Sequence, residues 1–366
     1  MPPAITCIMR SKIKKADGIE LAVIWLKLLP LQLLQNTFMR KGLFYLTGAL
    51  FGLVLTSCSN SLNVQAPYKN ITVVYGLMDQ NDATHYIRIN KAYEGVGNAY
   101  TMAQVYDSIY YPANQISVQL QDVNSNGNVV QTITLVADSS IPVPAGTFSY
   151  PKQILYKTNA ALNINDTYNL IVTNNHTHQV LTGSTTLLQD ATFSSTVIGP
   201  PYFFFNFSNQ YPTTIGWTST VNARIYQLTF RFFYSEQTGS GKSEKSIDWV
   251  FATQTSPTID GGFPMGYNIT GYQFIQMANS MIPVEAGVQR TADSLRLIFT
   301  SGSDDFNTYI QLSQPSLGID QDPPSFSDVK NGIGIYTSRH TQTLTKQLDP
   351  SLVDSLIADK QLNFVP

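Results

Sequence analysis

This chain of 366 residues is short of charge: Asp, Glu, Lys and Arg make up only 13% of it. Helical cytoplasmic proteins draw on Glu, Lys and Ala, so the shortage argues against that class. Cysteine is scarcer still. There are two, Cys7 and Cys58, and none beyond residue 58. A secreted body without disulfides must hold itself together through its core, and about 300 residues is long enough for that. A basic stripe is missing as well. From Ser59 onward 15 basic residues face 22 acidic ones, which argues against a nucleic-acid partner. No G-x-S-x-G elbow and no H-E-x-x-H occurs, so no catalytic signature is assembled and no cofactor is implied. Ser-His-Asp triads and paired glycosidase carboxylates can be drawn at long range in any such chain and carry no weight.

What the chain does have is Tyr (20), Phe (19) and many Thr, Ser and Asn. β-branched and aromatic residues line strands, and Asn, Gly and Ser make turns, so the composition points to a mainly β protein. The first 57 residues differ in character. Arg40 and Lys41 are followed by an uncharged, mainly apolar run from Gly42 to Leu55. That run is short for a membrane span and right for a signal-peptide core. Leu55-Thr56-Ser57-Cys58 then resembles the bacterial lipobox, in which the cysteine sulfur receives a diacylglycerol and the signal is cut just before it. The resemblance implies residues 39–57 as a lipoprotein signal peptide, Cys58 as the lipidation site and 58–67 as a lipidated tether. Ser59, in the position after the cysteine, favours the outer membrane, and "CSNSLNVQ" leaves the periplasmic or external face open. Residues 1–38 read as an extension from a start assigned too far upstream, with a further membrane-associated segment as the alternative.

Strand patterns fill the rest. Asn70–Leu77, His85–Tyr93, Ile116–Val123, Asn128–Ala137, Thr167–Asn175 and His178–Leu187 alternate or run apolar. Asn126-Gly127 between two alternating runs is a hairpin signal, read here as a type I′ turn. These six strands predict an immunoglobulin-like β-sandwich over 68–188. A second β-rich domain with a few short helices is expected over 189–366. Its strands include "ATFSSTVI", "TIGWTST", "ARIYQLTFRFFYSE" and "KSIDWVFATQT". Helices are expected at Tyr272–Ile282, with Phe274, Ile275, Ala278, Met281 and Ile282 on one face, at Asp304–Leu312, and after the Asp349-Pro350 cap.

"APYKNITVVYGLMD" (66–79) and "PPSFSDVKNGIGIYTSRHT" (323–341) resemble a family of Bacteroidota outer-membrane lipoproteins. Its members have a β-sandwich N-terminal half and a C-terminal NGxGxF/Y motif, which Asn331-Gly332-Ile333-Gly334-Ile335-Tyr336 fits. The resemblance implies no enzymatic activity and no functional residues. It implies a place beside TonB-dependent receptors in nutrient uptake or envelope assembly, with an outer-membrane protein as partner.

Several individual motifs have a plainer reading beside a functional one. "GSGKS" (239–243) lacks the upstream glycine of a phosphate loop, because Glu236 stands there, and reads as a hairpin loop. "DVNSNG" (122–127) lacks the Glu that calcium needs at the twelfth position, which is Ile133. His176 and His178 share a face if extended and are weak metal candidates, with His85, His340 or carboxylates as the third ligand. "PPYFFFNF" (200–207) would set Tyr202, Phe204 and Asn206 against Phe203, Phe205 and Phe207. Burial of both faces is the plainer expectation there, and a contact surface for a sugar, peptide or protein the sharper one. Trp217 and Trp249 read as core. Three Asp-Ser-aliphatic tripeptides, at 107, 293 and 354, resemble Bacteroidota O-glycosylation acceptors. The chain therefore reads as a non-enzymatic, lipid-anchored outer-membrane lipoprotein that binds or scaffolds a partner, its ligand unnamed. An envelope hydrolase on glycan or peptide and a surface adhesin are the alternatives.

Overall fold

The computed structural model describes residues 71–92, 98–112, 114–314 and 325–366. The extension 1–38, the signal segment 39–57, Cys58 and the tether to residue 67 lie outside them. Pro67–Pro366 is one compact unit.

Seven strands build its first half: β1 Thr72–Met78, β2 His85–Lys91, β3 Ile116–Val123, β4 Val129–Asp138, β5 Leu155–Thr158, β6 Thr167–Asn174 and β7 Val180–Thr186. Two short helices, α1 Ala99–Ala103 and α2 Tyr106–Ile109, connect β2 to β3. The strands pair in the order β1-β2-β5-β4-β3-β6-β7. β4 serves both layers: Leu135 faces Val118 on β3, and Val136 faces Lys157 on β5. β3 and β6 bury every second residue, so Val118, Leu120, Tyr168, Leu170 and Val172 enter one core. Tyr168, near the start of β6, accepts the Asn163 N–H on its hydroxyl at 2.6 Å. This tyrosine corner is a mark of immunoglobulin-like sandwiches.

The β3–β4 hairpin forms where Asn126-Gly127 placed it, but its turn is not type I′. That type needs a positive φ at both central residues. Only Gly127 has one, at 78°, and its N–H donates to the Asn124 carbonyl at 2.9 Å. The result is a type I turn with glycine in the left-handed position, which shifts the register between Asp122 and Val123.

The second half adds β8 Thr192–Phe193, α3 Ser195–Ile198, β9 Tyr202–Phe203, β10 Thr213–Thr218, β11 Ala223–Thr238, β12 Gly241–Val250, β13 Gln254–Thr255 and β14 Pro264–Ile269. It closes with α4 Gly271–Met281, β15 Gln289–Ser303, α5 Asp304–Leu312, β16 Ile333–Leu348 and α6 Pro350–Ala358. The run 191–198 was expected as strand. It ends as strand after Phe193 and turns into α3, with Val197 buried. The long strands β12-β11-β15-β16 pair antiparallel, and β14-β10-β8 form a second, three-stranded sheet. Between the sheets lies an aromatic core. Phe230 meets Phe203 and Phe205 edge-on, and Phe232 meets Phe274 the same way. Trp217 is buried and Trp249 packs against the cluster. α4 starts on a Thr270–Gln273 capping box and buries Phe274, Met277 and Ala278. Met281, expected on that face, is exposed because the helix stops there and Ile282 turns inward instead.

The core changes at 187/188: Leu187 packs in the first cluster and Leu188 in the second. One strand crosses that line. β16 begins parallel to β1, with Val73 opposite Ile333 and Met78 opposite Ser338. It then runs antiparallel to β15, from Gly302–Arg339 to Ser294–Gln347. The first core therefore includes Tyr336. The NGxGxY motif has a physical reason here. Asn331 takes a left-handed φ of 61° and Gly334 a φ of 118°. A Cβ on Gly332 would strike the Leu181 side chain, and one on Gly334 the Val74 carbonyl oxygen. Glycine lets β16 lie that close to β1.

Candidate functional site

Two places gather chemically capable side chains. The first is the junction where β16 passes from one core to the other. The β1–β2 turn presents Asp79, β16 presents His340, and the segment after Leu188 presents Asp190. His340 Nδ1 lies 3.0 Å from Asp79 Oδ1, and its Nε2 lies 2.5 Å from Asp190 Oδ1. His340 and Asp79 are buried, and Asp190 is exposed. With a carboxylate on each ring nitrogen, both nitrogens must donate, so the ring is an imidazolium. Burial opposes that charge, but the hydrogen bonds that the ring donates to Asp79 and Asp190 outweigh it and hold His340 above the usual histidine range. Burial likewise opposes ionisation of Asp79, and the bonds from His340 and the Asn81 N–H still keep its carboxyl below its ordinary value. Asp79 Oδ2 also accepts the Thr341 N–H at 3.0 Å. The cluster continues outward. Gln342 exchanges two hydrogen bonds with the Ala191 backbone, at 2.8 and 3.2 Å, and Arg339 reaches Asp82 at 3.2 Å.

A general base needs a free lone pair turned to a nucleophile. His340 has none, since both nitrogens are engaged. His85 is buried nearby, its Nδ1 lacks a partner, and burial pulls its pKa below the usual histidine value. The geometry makes the junction a clasp between the two cores.

The second place is the "PPYFFFNF" segment. Burial of both faces does not occur. Phe203 and Phe205 are 3% and 0% exposed, while Tyr202 and Phe204 are 40% and 45% exposed. The reason is the edge position of β9, which among the described residues pairs only with the end of β16. One face anchors in the aromatic core and the other faces water. Tyr211 and Tyr272 are exposed as well, and Tyr272, on α4, packs edge-on to Phe207 at 5.2 Å. Lys346 secures the segment from beneath, donating to the carbonyls of Val197, Ile198 and Pro200.

Other candidates fall apart in space. His176 and His178 sit exposed in the β6–β7 turn, and among the described residues no group of three His, Cys, Asp or Glu could hold a metal. Asn124 Oδ1 is taken by the N–H groups of Asn126 and Asn128. Asp122 turns inward, where burial and Asp166 raise its pKa. "GSGKS" is the β11–β12 hairpin loop. Ser294 of the Asp293 tripeptide is buried in β15.

No family model matches the chain, and no curated protein matches it. Among solved structures it is similar to the C-terminal globular domain of an oligosaccharyltransferase from Pyrococcus abyssi. Identity is 7% and the TM-score 0.21, over 61% of this chain and 47% of that one. The chain thus spans about half of that structure's length, and at this TM-score the likeness carries no argument.

Proposed function

We propose that the chain is a lipid-anchored outer-membrane lipoprotein with a binding or scaffolding role, accessory to an outer-membrane uptake complex. The lipobox at Leu55–Cys58 supplies the anchor. The observation that carries the binding role is the set of water-facing aromatic side chains on the segment from β9 to β10, Tyr202, Phe204 and Tyr211. Exposed aromatic side chains clustered on one segment mark interaction sites, because they bury large area at low entropic cost. Its position fits the role. It flanks the last residues of β16, while β1, which leads back to Cys58, pairs with the first. About 45 Å of strand separates the two ends, which holds the surface away from the anchored end.

The test is gentle co-purification from membranes with mass spectrometry of bound proteins. Phe204→Ser with Tyr211→Ser is expected to lose the partner while melting like the wild type. Recovery of a lone protein from wild-type membranes would refute the binding role. Cys58→Ala is expected to abolish acyl labelling and release the protein; persistent labelling would refute Cys58 as the anchor.

A further inference from the structure

The end of the sandwich where β1 begins carries its own aromatic surface. Thr72, the first residue of β1, lies opposite Lys91, the last of β2. Asp138, the last of β4, lies opposite Leu155, the first of β5. The loops after β2 and after β4 therefore leave from the same end as the segment that leads back to Cys58. The Ser149 N–H donates to the Ala103 carbonyl at 2.8 Å and ties the two loops together. Residues 141–152, "IPVPAGTFSYPK", hold no carboxylate, and Phe148, Tyr150 and Ile141 are exposed on them. Tyr100 and Val105 are exposed on the neighbouring loop. Beneath Phe148 opens a cavity of about 370 Å³, walled by Tyr75, Tyr110 and Val143, with Arg88 and Lys91 in it. Among the described residues no carboxylate lines it. Arg88 donates to Gln153 Oε1 and Lys91 to the Asp107 carbonyl, and Lys91 lies over the Tyr111 ring, so among the described residues neither cation has a carboxylate partner.

Resting on the lipid-anchor reading, we propose that this end of the sandwich docks on the bilayer that holds Cys58. Phe148, Tyr150 and Tyr100 enter the interface, and Arg88 and Lys91 face lipid phosphate. Two observations select a bilayer as the occupant. The first is reach. Thirteen residues, 59–71, join Cys58 to β1, and even fully extended a chain of that length reaches no more than about 45 Å. The surface is thus held at a high effective concentration over lipid, and weak insertion suffices. The second is chemistry. Aromatic rings with Lys and Arg beside them are the side chains that settle at a membrane interface.

The test uses the full chain, acylated in its host and reconstituted into phosphatidylethanolamine–phosphatidylglycerol vesicles. A nitroxide is placed through Phe148→Cys, and through Tyr211→Cys as the distal control. The label at 148 is expected to show a several-fold higher ratio of oxygen to nickel-chelate accessibility than the label at 211. Acylated, membrane-bound protein with equal ratios at both positions would overturn the docking alone. Protein that carries no acyl group and washes off would refute the anchor, and the docking with it. A label at 148 shielded in native membranes but open to nickel chelate in vesicles would assign the surface to a protein partner, and the proposal would fall.

Discussion

The two halves of the body solve the same packing problem with different means. The first uses short strands, of four to ten residues, around Ile, Val, Leu and Tyr. The second uses strands of up to 16 residues around a dense set of Phe, Tyr and Trp. They also differ in self-sufficiency. The second core draws every residue from 188–364, whereas the first needs Val329 and Tyr336 from far along the chain. The sandwich is therefore complete only after the last third of the sequence has been made. A module that looks N-terminal in sequence depends on C-terminal residues for its closure.

The strongest way to break that dependence is Gly334→Ala. The new Cβ would collide with the Val74 carbonyl oxygen at a backbone conformation unsuited to alanine. A loss of at least about 4 kcal/mol is expected, read by chemical denaturation. Hydrogen exchange in β1 and β2 should rise before that in β11 and β15. Equal loss of protection in both halves would show that the cores do not differ in dependence.

The clasp comes next. His340→Ala leaves Asp79 buried without its cation, and about 3–5 kcal/mol is expected. Its pH dependence separates the two buried histidines. His340 is raised when folded, so its contribution is fully present below pH 6.5, the unfolded value, and is lost as pH climbs through the folded one. His85 is lowered when folded, so stability falls as pH drops below 6.5 and the unfolded state takes up the proton. Denaturation midpoints should then decline on both sides of 6.5. His340→Gln should flatten the alkaline side and His85→Gln the acid side.

Smaller effects sharpen the picture. Gln342→Ala removes two hydrogen bonds to the Ala191 backbone, and about 1–3 kcal/mol is expected, with faster exchange at Ala191. Tyr336→Phe should be neutral or slightly stabilising in thermal melts. The Tyr336 hydroxyl is buried without a hydrogen-bond partner, so removing it relieves a desolvation cost.

Much of the architecture was legible because its signals are local. Period-two alternation marked β3, β6 and β7, Gly127 marked a hairpin, and Ser303 and Asp349 capped the helices they precede. The "PPYFFFNF" alternation was equally legible, but which face met water depended on the edge position of β9. The clasp was not legible. Asp79, Asp190 and His340 are separated by more than a hundred residues each, and nothing local distinguishes them from other Asp and His. The nearest hint was the NGxGxY motif. Two glycines bracketing an isoleucine flag a close strand approach, and His340 lies four residues beyond it.

The parallel pairing of β1 with β16 has a mechanical consequence. If the body is tethered through residue 71 and held by a partner near Tyr211, tension enters β1 at Thr72 and leaves toward Leu348. The hydrogen bonds between Val73–Met78 and Ile333–Ser338 lie across that pull. They are loaded together, in shear, instead of being peeled apart one by one. Tugging between a membrane and a bound partner would meet the resistance of the whole ladder at once.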